Sequence, residues 1–325
     1  MKKSLAVILL LFFCVSNAQD FKFGKVSKSE LQEQSHPIDS SANAAILYKK
    51  EHITFQFVQS KGFMQNREVH ERVKIYNKEG YDWATKKIYV YKGSSGANSE
   101  RIINIKGYTF NMEGNKVVKD KLKNDGIFEE EYNDFNEINT ITMPNIKEGS
   151  VIEYTYTIVS PFYAIDDIYF QSTIPINQLD IKVASPQYAQ YNKLANLRAS
   201  YYPKFKEKRE NKSIGNSTVD MSSQTFRGDA FKQNKFEYYD NVIEASETNI
   251  PSLKQEAFVS SMENYISKMS FELSAILNEF GVPEKTISIP SIHISAGSFK
   301  VITGNAKIST LTVSEFSQPS ISVNE

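Results

Sequence analysis

Four aromatic side chains lie close together in the sequence and could form a flat surface for a ligand. They are Tyr81, Trp83, Tyr89 and Tyr91. Rings with apolar faces and polar edges suit the ring of a sugar. The same side chains also suit core packing or pairing across two strands. These four are therefore the candidate ligand-binding residues, and a structural role is their alternative.

An acidic segment offers a second kind of chemistry, because paired carboxylates can cleave a glycosidic bond or bind Ca²⁺. Its members are Asp125, Glu129, Glu130, Glu131 and Asp134. In a glycan hydrolase, Glu129 or Glu131 would be the acid, and Asp134 or Asp166 its partner. A calcium loop needs a sharp glycine turn among its ligands, whereas Gly126 precedes most of these acids. We expect a solvated loop here and a turn between strands at Asp166 and Asp167.

His52, His70 and Glu71 could bind zinc if their two strands were neighbours. These residues fall on or near the polar faces of predicted strands, where exposed histidine and glutamate are ordinary. The pattern therefore predicts no metal site, and nothing else in the sequence calls for a cofactor.

The N-terminus has the pattern of a secretory signal. Met1-Lys2-Lys3 is followed by an apolar run from Leu5 to Val15 and by Ser16-Asn17-Ala18. A basic start, a short apolar run and small residues before the cut are typical of a cleaved signal peptide. We expect residues 1–18 to be removed near Ala18 and the protein to be periplasmic or extracellular. Cys14, the single cysteine, is removed with them, so the mature chain does no thiol chemistry.

Charge and hydropathy exclude two classes of partner. The 325 residues contain 38 basic and 38 acidic side chains, and losing Lys2 and Lys3 leaves a formal charge of −2. A chain with balanced charge lacks the excess of positive charge that attracts nucleic acid. No apolar run after the signal approaches the length of a membrane span. We expect neither nucleic-acid binding nor a membrane span.

Alternation with a period of two dominates the chain from Ile46 to Ala184. In His52–Val58, for example, Ile53, Phe55 and Phe57 share one face. Ile102–Phe110, the turn-rich residues 111–115 and Val117-Val118 predict a hairpin. Short strands at close spacing favour a mainly β fold, an antiparallel β-sandwich with long loops and little helix.

Outside these alternating segments the pattern is weaker. Asp39–Ala45 suggests a capped helical turn. Tyr188–Asn241 suggests long loops around weaker strands, and Ala257–Leu277 is ambiguous between helix and strand.

Several segments together resemble a known family. They read SSANAAILYKKEHITFQF, HERVKIYNKEGYDWATKKIYVYKG, ITMPNIKEGSVIEYTYTIVSPF, IYFQSTIPI and IPSLKQEAFVSSMENYISKMSFEL. This set resembles the β-sandwich domain of unknown function that precedes a transglutaminase-like core in exported bacterial proteins. The polar composition of residues 19–45 predicts a lead-in segment. The resemblance implies a β-sandwich domain at 46–277, followed by a divergent tail at 278–325.

The catalytic core that would follow in this family uses a Cys, His, Asp triad, and the mature chain expected after signal cleavage has no cysteine to supply it. After Leu277 the sequence departs from the family pattern, which suggests a tail that is disordered or produced by a frameshift or truncation. The resemblance thus implies a non-catalytic accessory module that binds or positions a peptide, glycan or partner chain. The alternatives are a carboxylate-based glycan hydrolase and a truncated, non-functional fragment.

Overall fold

The computed structural model describes residues 21–58, 61–93, 96–219, 231–254, 261–278, 282–286, 298–303 and 307–312. The expected signal peptide, residues 1–18, lies outside these ranges. The fold is mainly β, with 60% strand and 9% helix. The predicted fold class is therefore confirmed.

The described residues form seventeen strands, one α-helix and four short 3-10 helices. The strands are β1 Ala44–Val58, β2 Gly62–Ile75, β3 Thr85–Tyr91, β4 Arg101–Glu113, β5 Lys116–Lys121, β6 Ile127–Asn133, β7 Asn136–Thr142, β8 Val151–Ser160, β9 Ile165–Tyr169, β10 Ile176–Pro186, β11 Ala189–Ala195, β12 Lys206–Val219, β13 Phe231–Ile250, β14 Lys268–Leu277, β15 Pro283–Thr286, β16 Ser298–Thr303 and β17 Lys307–Thr312. The α-helix, α1, is Lys28–Gln32, and the 3-10 helices are Lys78–Ala84, Gly96–Asn98, Asn124–Gly126 and Met262–Asn264.

Four sheets contain these strands. The large sheet has eight strands in the order β12-β13-β10-β1-β2-β8-β4-β5. A three-stranded sheet has the order β3-β7-β6, and a four-stranded sheet has the order β11-β14-β15 with β9 also paired to β14. β16 and β17 form a hairpin. The ladders are antiparallel except for β1 with β10, which is parallel and was not expected from the sequence.

The main core lies between one face of the large sheet and the two smaller sheets. It contains Val73 and Ile152 from the large sheet, Ile141 from the three-stranded sheet, and Ile168 and Phe271 from the four-stranded sheet. Each strand contributes alternate apolar side chains to this layer. The two smaller sheets are thus held side by side over one face of the large sheet.

The predicted hairpin at 102–118 is present as β4 and β5. Gly114 has φ of +60° in its turn, a backbone conformation that glycine adopts without steric cost. The expectation of long loops around weaker strands at Tyr188–Asn241 was wrong in part. β12 and β13 form a hairpin there, and β13 is twenty residues long. The ambiguous segment Ala257–Leu277 ends in a strand, β14.

The lead-in segment differs from its prediction. Asp39–Ala45 forms no helix but a turn in which Ala42 N donates to Asp39 O over 3.0 Å, and β1 begins at Ala44. The helix is α1 instead. Ser27 caps it, and Glu30 completes a reciprocal capping box. The pattern Ser27-x-x-Glu30 is a readable helix-start signal that the sequence interpretation missed.

Residues 21–33, here called the N-terminal strap, cover the second face of the large sheet. Glu153, fully buried on β8, accepts hydrogen bonds from Gly24 N over 2.7 Å and from Arg72 Nη2 over 2.7 Å. Arg72 also pairs with Glu30 over 2.8 Å, and Phe21 stacks on Tyr48 with ring centroids 4.6 Å apart. The strap is therefore part of the folded domain.

Lys74 makes a similar link with its ammonium group fully buried. Its Nζ donates to Leu31 O and Gly149 O, each over 2.7 Å. Burial lowers the pKa of Lys74 to about 8, although Glu33 and Glu30 act in the opposite direction.

Beyond Leu277, the described residues of the expected tail include three strands. β15 pairs with β14 and so extends the four-stranded sheet. Within the described ranges, no helix has the length and hydrophobicity needed to cross a bilayer.

We predict that Glu153→Ala lowers the free energy of unfolding by about 3–5 kcal/mol, because Arg72 and His70 would lose a buried carboxylate partner. Urea denaturation followed by Trp83 fluorescence measures this change. The control is Glu113→Ala, which removes an exposed carboxylate 3.8 Å from Lys147 and should cost less than about 0.5 kcal/mol. Equal losses in the two variants would contradict the structural role of the strap contacts.

We also predict that stability rises between pH 8 and about 10. In this window an unfolded lysine keeps a proton that native Lys74 releases, so the unfolded state binds more protons and unfolding becomes less favourable as pH rises. The shift corresponds to about 3 kcal/mol over the full window. Above pH 10 the trend reverses, because burial raises the pKa of Tyr156 to about 12 and the unfolded chain loses its tyrosine protons first.

Urea melts at several pH values test this dependence in Lys74→Met, with the exposed Lys87→Met as the control. The rise should shrink in Lys74→Met to the share from Lys49, whose pKa is also lowered by burial. A rise that is unchanged in Lys74→Met would refute the assignment.

Candidate functional site

The two groups of candidate residues meet on the three-stranded sheet. β3 carries Tyr89 and Tyr91, and β6 carries Glu129, Glu130 and Glu131. β7 lies between them and pairs with both strands. The sheet therefore joins an aromatic segment and an acidic segment about forty residues apart in sequence.

Alternation along β3 decides which of its side chains reach solvent. Ile88 and Val90 point into the main core, whereas Tyr89 is 53% exposed. Lys86 lies on the inner side too, where its Nζ is 3.5 Å from Glu71 Oε1 on the large sheet. The charge of Glu71 raises the pKa of Lys86 to about 12, so the inner side is held by apolar contacts and one ion pair.

The outer side of the sheet exposes a group of aromatic rings, here called the aromatic face. It consists of Tyr89, Phe128 and Tyr132, with exposed fractions of 53%, 49% and 60%, and Phe135, in the turn before β7, is 62% exposed. Tyr89 and Tyr132 meet edge to face, with ring centroids 5.4 Å apart and an interplanar angle of 84°. Exposed aromatic side chains grouped in this way are typical of binding surfaces.

The four aromatic residues selected from the sequence are not brought together. Tyr81 and Trp83 belong to the 3-10 helix Lys78–Ala84 and pack against the main core. Tyr91 contacts Phe162 edge to face over 5.4 Å. Of the four, only Tyr89 belongs to the aromatic face.

Phe128, Tyr132 and Phe135 were missed in the sequence interpretation. Of the expected acidic loop, Glu129, Glu130 and Glu131 belong to strand β6, so that expectation was wrong for them. Asp125 lies in the 3-10 helix Asn124–Gly126, and Asp134 lies in the turn before β7. Phe128, Glu130 and Tyr132 alternate with a period of two, which would have identified the face if a strand had been assigned. The charged residues obscured this alternation, and pairing with β7 is what makes the segment a strand.

The acidic side chains lie on an exposed edge strand. Glu129, Glu130 and Glu131 are all exposed. Glu131 pairs with Lys92, whose Nζ is also 3.4 Å from Glu137 Oε1. A hydrogen bond with Glu137 raises the pKa of Glu129. These carboxylates form a solvated edge and face no described cleft.

β6 pairs with β7 on one side, and within the described ranges no strand pairs with its other side. A free edge leaves backbone N–H and C=O groups available for another extended segment. Among the described residues, the sheet thus offers an unpaired edge at β6, a row of carboxylates on that strand and the aromatic face beside it.

Asp166 lies elsewhere. It was expected in a turn but belongs to strand β9, where its Oδ2 accepts from Arg67 Nη1 over 2.9 Å. Asp167, also on β9 and also expected in that turn, pairs with Lys268 over 2.6 Å. Both carboxylates are engaged in ion pairs around the four-stranded sheet.

β1 and β2 are neighbours, so His52 and His70 lie on one face of the large sheet, with His52 opposite Glu68 and His70 opposite Lys50. His70 and Glu71 are adjacent on β2 and so point to opposite faces of the large sheet. His70 contacts Glu153 over 2.8 Å, and His52 contacts Asp180 over 3.2 Å. Among the residues that the structure describes, no three His, Cys, Asp or Glu side chains are grouped for a metal ion.

Comparisons of the sequence and the fold with known proteins find little similarity. Neither a family model nor a curated protein matches the sequence. The chain is similar to the crystal structure of a putative protease from Parabacteroides distasonis, with a TM-score of 0.47 and 14% identity. The match covers 72% of this chain and 41% of that chain, so this chain spans less than half of its length. A likeness at this level carries no argument about function.

We predict that the aromatic face contributes little to folding. Phe128→Ala should lower the free energy of unfolding by less than about 1 kcal/mol, because the ring is half exposed. The matched core variant Phe170→Ala should cost about 3–5 kcal/mol, because that ring is 1% exposed. Urea denaturation measures both values. A loss above about 3 kcal/mol for Phe128→Ala would show that the ring serves the core.

Proposed function

We propose that this protein is an exported, non-catalytic accessory module that binds an extended polypeptide segment along β6. The observation that carries the proposal is the free edge of β6 beside exposed aromatic rings. An added strand gains main-chain hydrogen bonds, and pockets for alternate side chains provide specificity. Here the aromatic face would receive every second side chain of the bound segment.

The charge of β6 supports a basic partner. Glu129, Glu130 and Glu131 are consecutive and exposed, and Lys92 is the cation that pairs with one of them. A bound strand with lysine or arginine would offset this negative charge, while an acidic strand would be repelled. The partner is therefore an extended, basic peptide or protein segment.

The same geometry disfavours the glycan hydrolase. That reaction needs two carboxyl groups facing each other across a bound sugar. The acids of β6 are exposed to solvent. Asp166, on β9 of the four-stranded sheet, is paired with Arg67 on β2 of the large sheet. The signal pattern of residues 1–18 supports export, and the family resemblance supports a role beside a catalytic partner.

Selection from a displayed library of random twelve-residue peptides tests the proposal. On the purified chain we expect enrichment of peptides with lysine or arginine at alternate positions. Their affinity should fall at least about tenfold for Tyr89→Ala/Tyr132→Ala, since a buried ring contributes on the order of a few kcal/mol. For Glu129→Gln/Glu130→Gln/Glu131→Gln, the salt dependence of binding should weaken.

Tyr265→Ala is the control, because Tyr265 is 41% exposed but lies outside the three-stranded sheet. It should bind the selected peptides like the wild type. The proposal fails if no peptide is enriched, or if the enriched peptides bind the double tyrosine variant with unchanged affinity.

A further inference from the structure

A pocket of about 460 Å³ lies where the β12–β13 hairpin extends past the end of β10. The last residue of β10, Pro186, pairs with Asp240. Gln187 then continues the contact, because its backbone N donates to Tyr239 O over 2.9 Å and its side-chain Oε1 accepts from Tyr239 N over 3.0 Å. The step between the end of β10 and the longer hairpin forms the pocket.

The lining combines aromatic rings with uncharged hydrogen-bonding groups. Tyr238 and Tyr239 supply the rings, and Gln187, Asn211 and Ser213 supply amide and hydroxyl groups. Amides and hydroxyls both donate and accept hydrogen bonds. A ligand with hydroxyl groups around an apolar ring face matches this combination.

The charged lining residues do not favour an ionic ligand. Lys212 is already 3.5 Å from Glu210 Oε2 and 4.0 Å from Asp240 Oδ2, and Glu237 is the other charged residue that lines the pocket. Opposite charges in the lining give no net attraction for a phosphate or a carboxylate.

The rings are held in place by their neighbours. The Tyr238 ring lies 5.3 Å from Phe63, and a stacked contact places it 6.4 Å from Phe236. The guanidinium of Arg209 lies 4.7 Å above the ring of Tyr239. Rings that are already ordered lose little conformational freedom when a ligand stacks on them.

Asp240 does not line the pocket. It follows Tyr239 on β13, so its side chain points to the opposite face of the strand, where it is 3% exposed. It therefore serves as a buried control next to the site.

We propose that this pocket is a second binding site, independent of the aromatic face, and that it binds a neutral saccharide of one or two rings. One sugar ring stacks on Tyr239, and its hydroxyl groups bond to Asn211 and Ser213, which lie on the same face of the β12–β13 ladder as Tyr239. Pockets of this volume fall within the range that encloses small ligands.

Titration calorimetry of the purified chain with cellobiose, maltose and di-N-acetylchitobiose tests the site, with digalacturonic acid as the charged comparison. At least one neutral disaccharide should bind, and more tightly than the acidic one. Tyr239→Ala should weaken that binding at least about tenfold. Asn211→Ala removes an exposed amide and should weaken it without altering the melting temperature.

Asp240→Asn distinguishes binding from folding. It keeps the shape of the side chain and removes a buried charge outside the pocket, so stability should stay the same or rise while saccharide affinity stays unchanged. Tyr89→Ala on the aromatic face should leave the affinity unchanged. The proposal is overturned if none of the neutral disaccharides binds, if binding survives both Tyr239→Ala and Asn211→Ala, or if Tyr89→Ala alone abolishes it.

Discussion

Strand β2 is buried on both faces and carries charge on both, and much of the fold depends on pairing that charge. Residues 69–75 are buried without interruption. Ionised groups cannot remain unpaired at such positions without a large desolvation cost. On one face Arg72 meets Glu153 and Glu30, which requires the strap. On the other face Glu71 meets Lys86, which requires β3.

This constraint also explains why the proposed peptide site is on the three-stranded sheet. The inner side of that sheet packs against the core through Ile88 and Val90, and the Lys86–Glu71 ion pair links it to the large sheet. Its outer side exposes aromatic rings to solvent, and its edge at β6 pairs with no other described strand. The exposed rings of Tyr89, Phe128 and Tyr132 therefore have no evident role in stability, which is the physical basis for assigning them to a partner.

Local signals predicted some elements well. The β4–β5 hairpin followed from alternation and from a turn containing Gly114, because both are properties of neighbouring residues. Strands β6 and β9 were taken for a loop and a turn, since Glu129–Glu131 and Asp166-Asp167 have low intrinsic preference for strands. Pairing with β7, the next strand along the chain, and with β14, a strand far later in the chain, overrides that preference.

By itself the sequence determined the mainly β class and the position of its single cysteine, Cys14. A period of two and the identity of each residue can be read without any knowledge of contacts. Only the tertiary structure decided that β1 lies parallel to β10, that the strap completes the domain, and which rings share a face with Tyr89. These features depend on contacts between residues far apart in the chain, and such contacts are selected by the burial of whole faces and the pairing of charges.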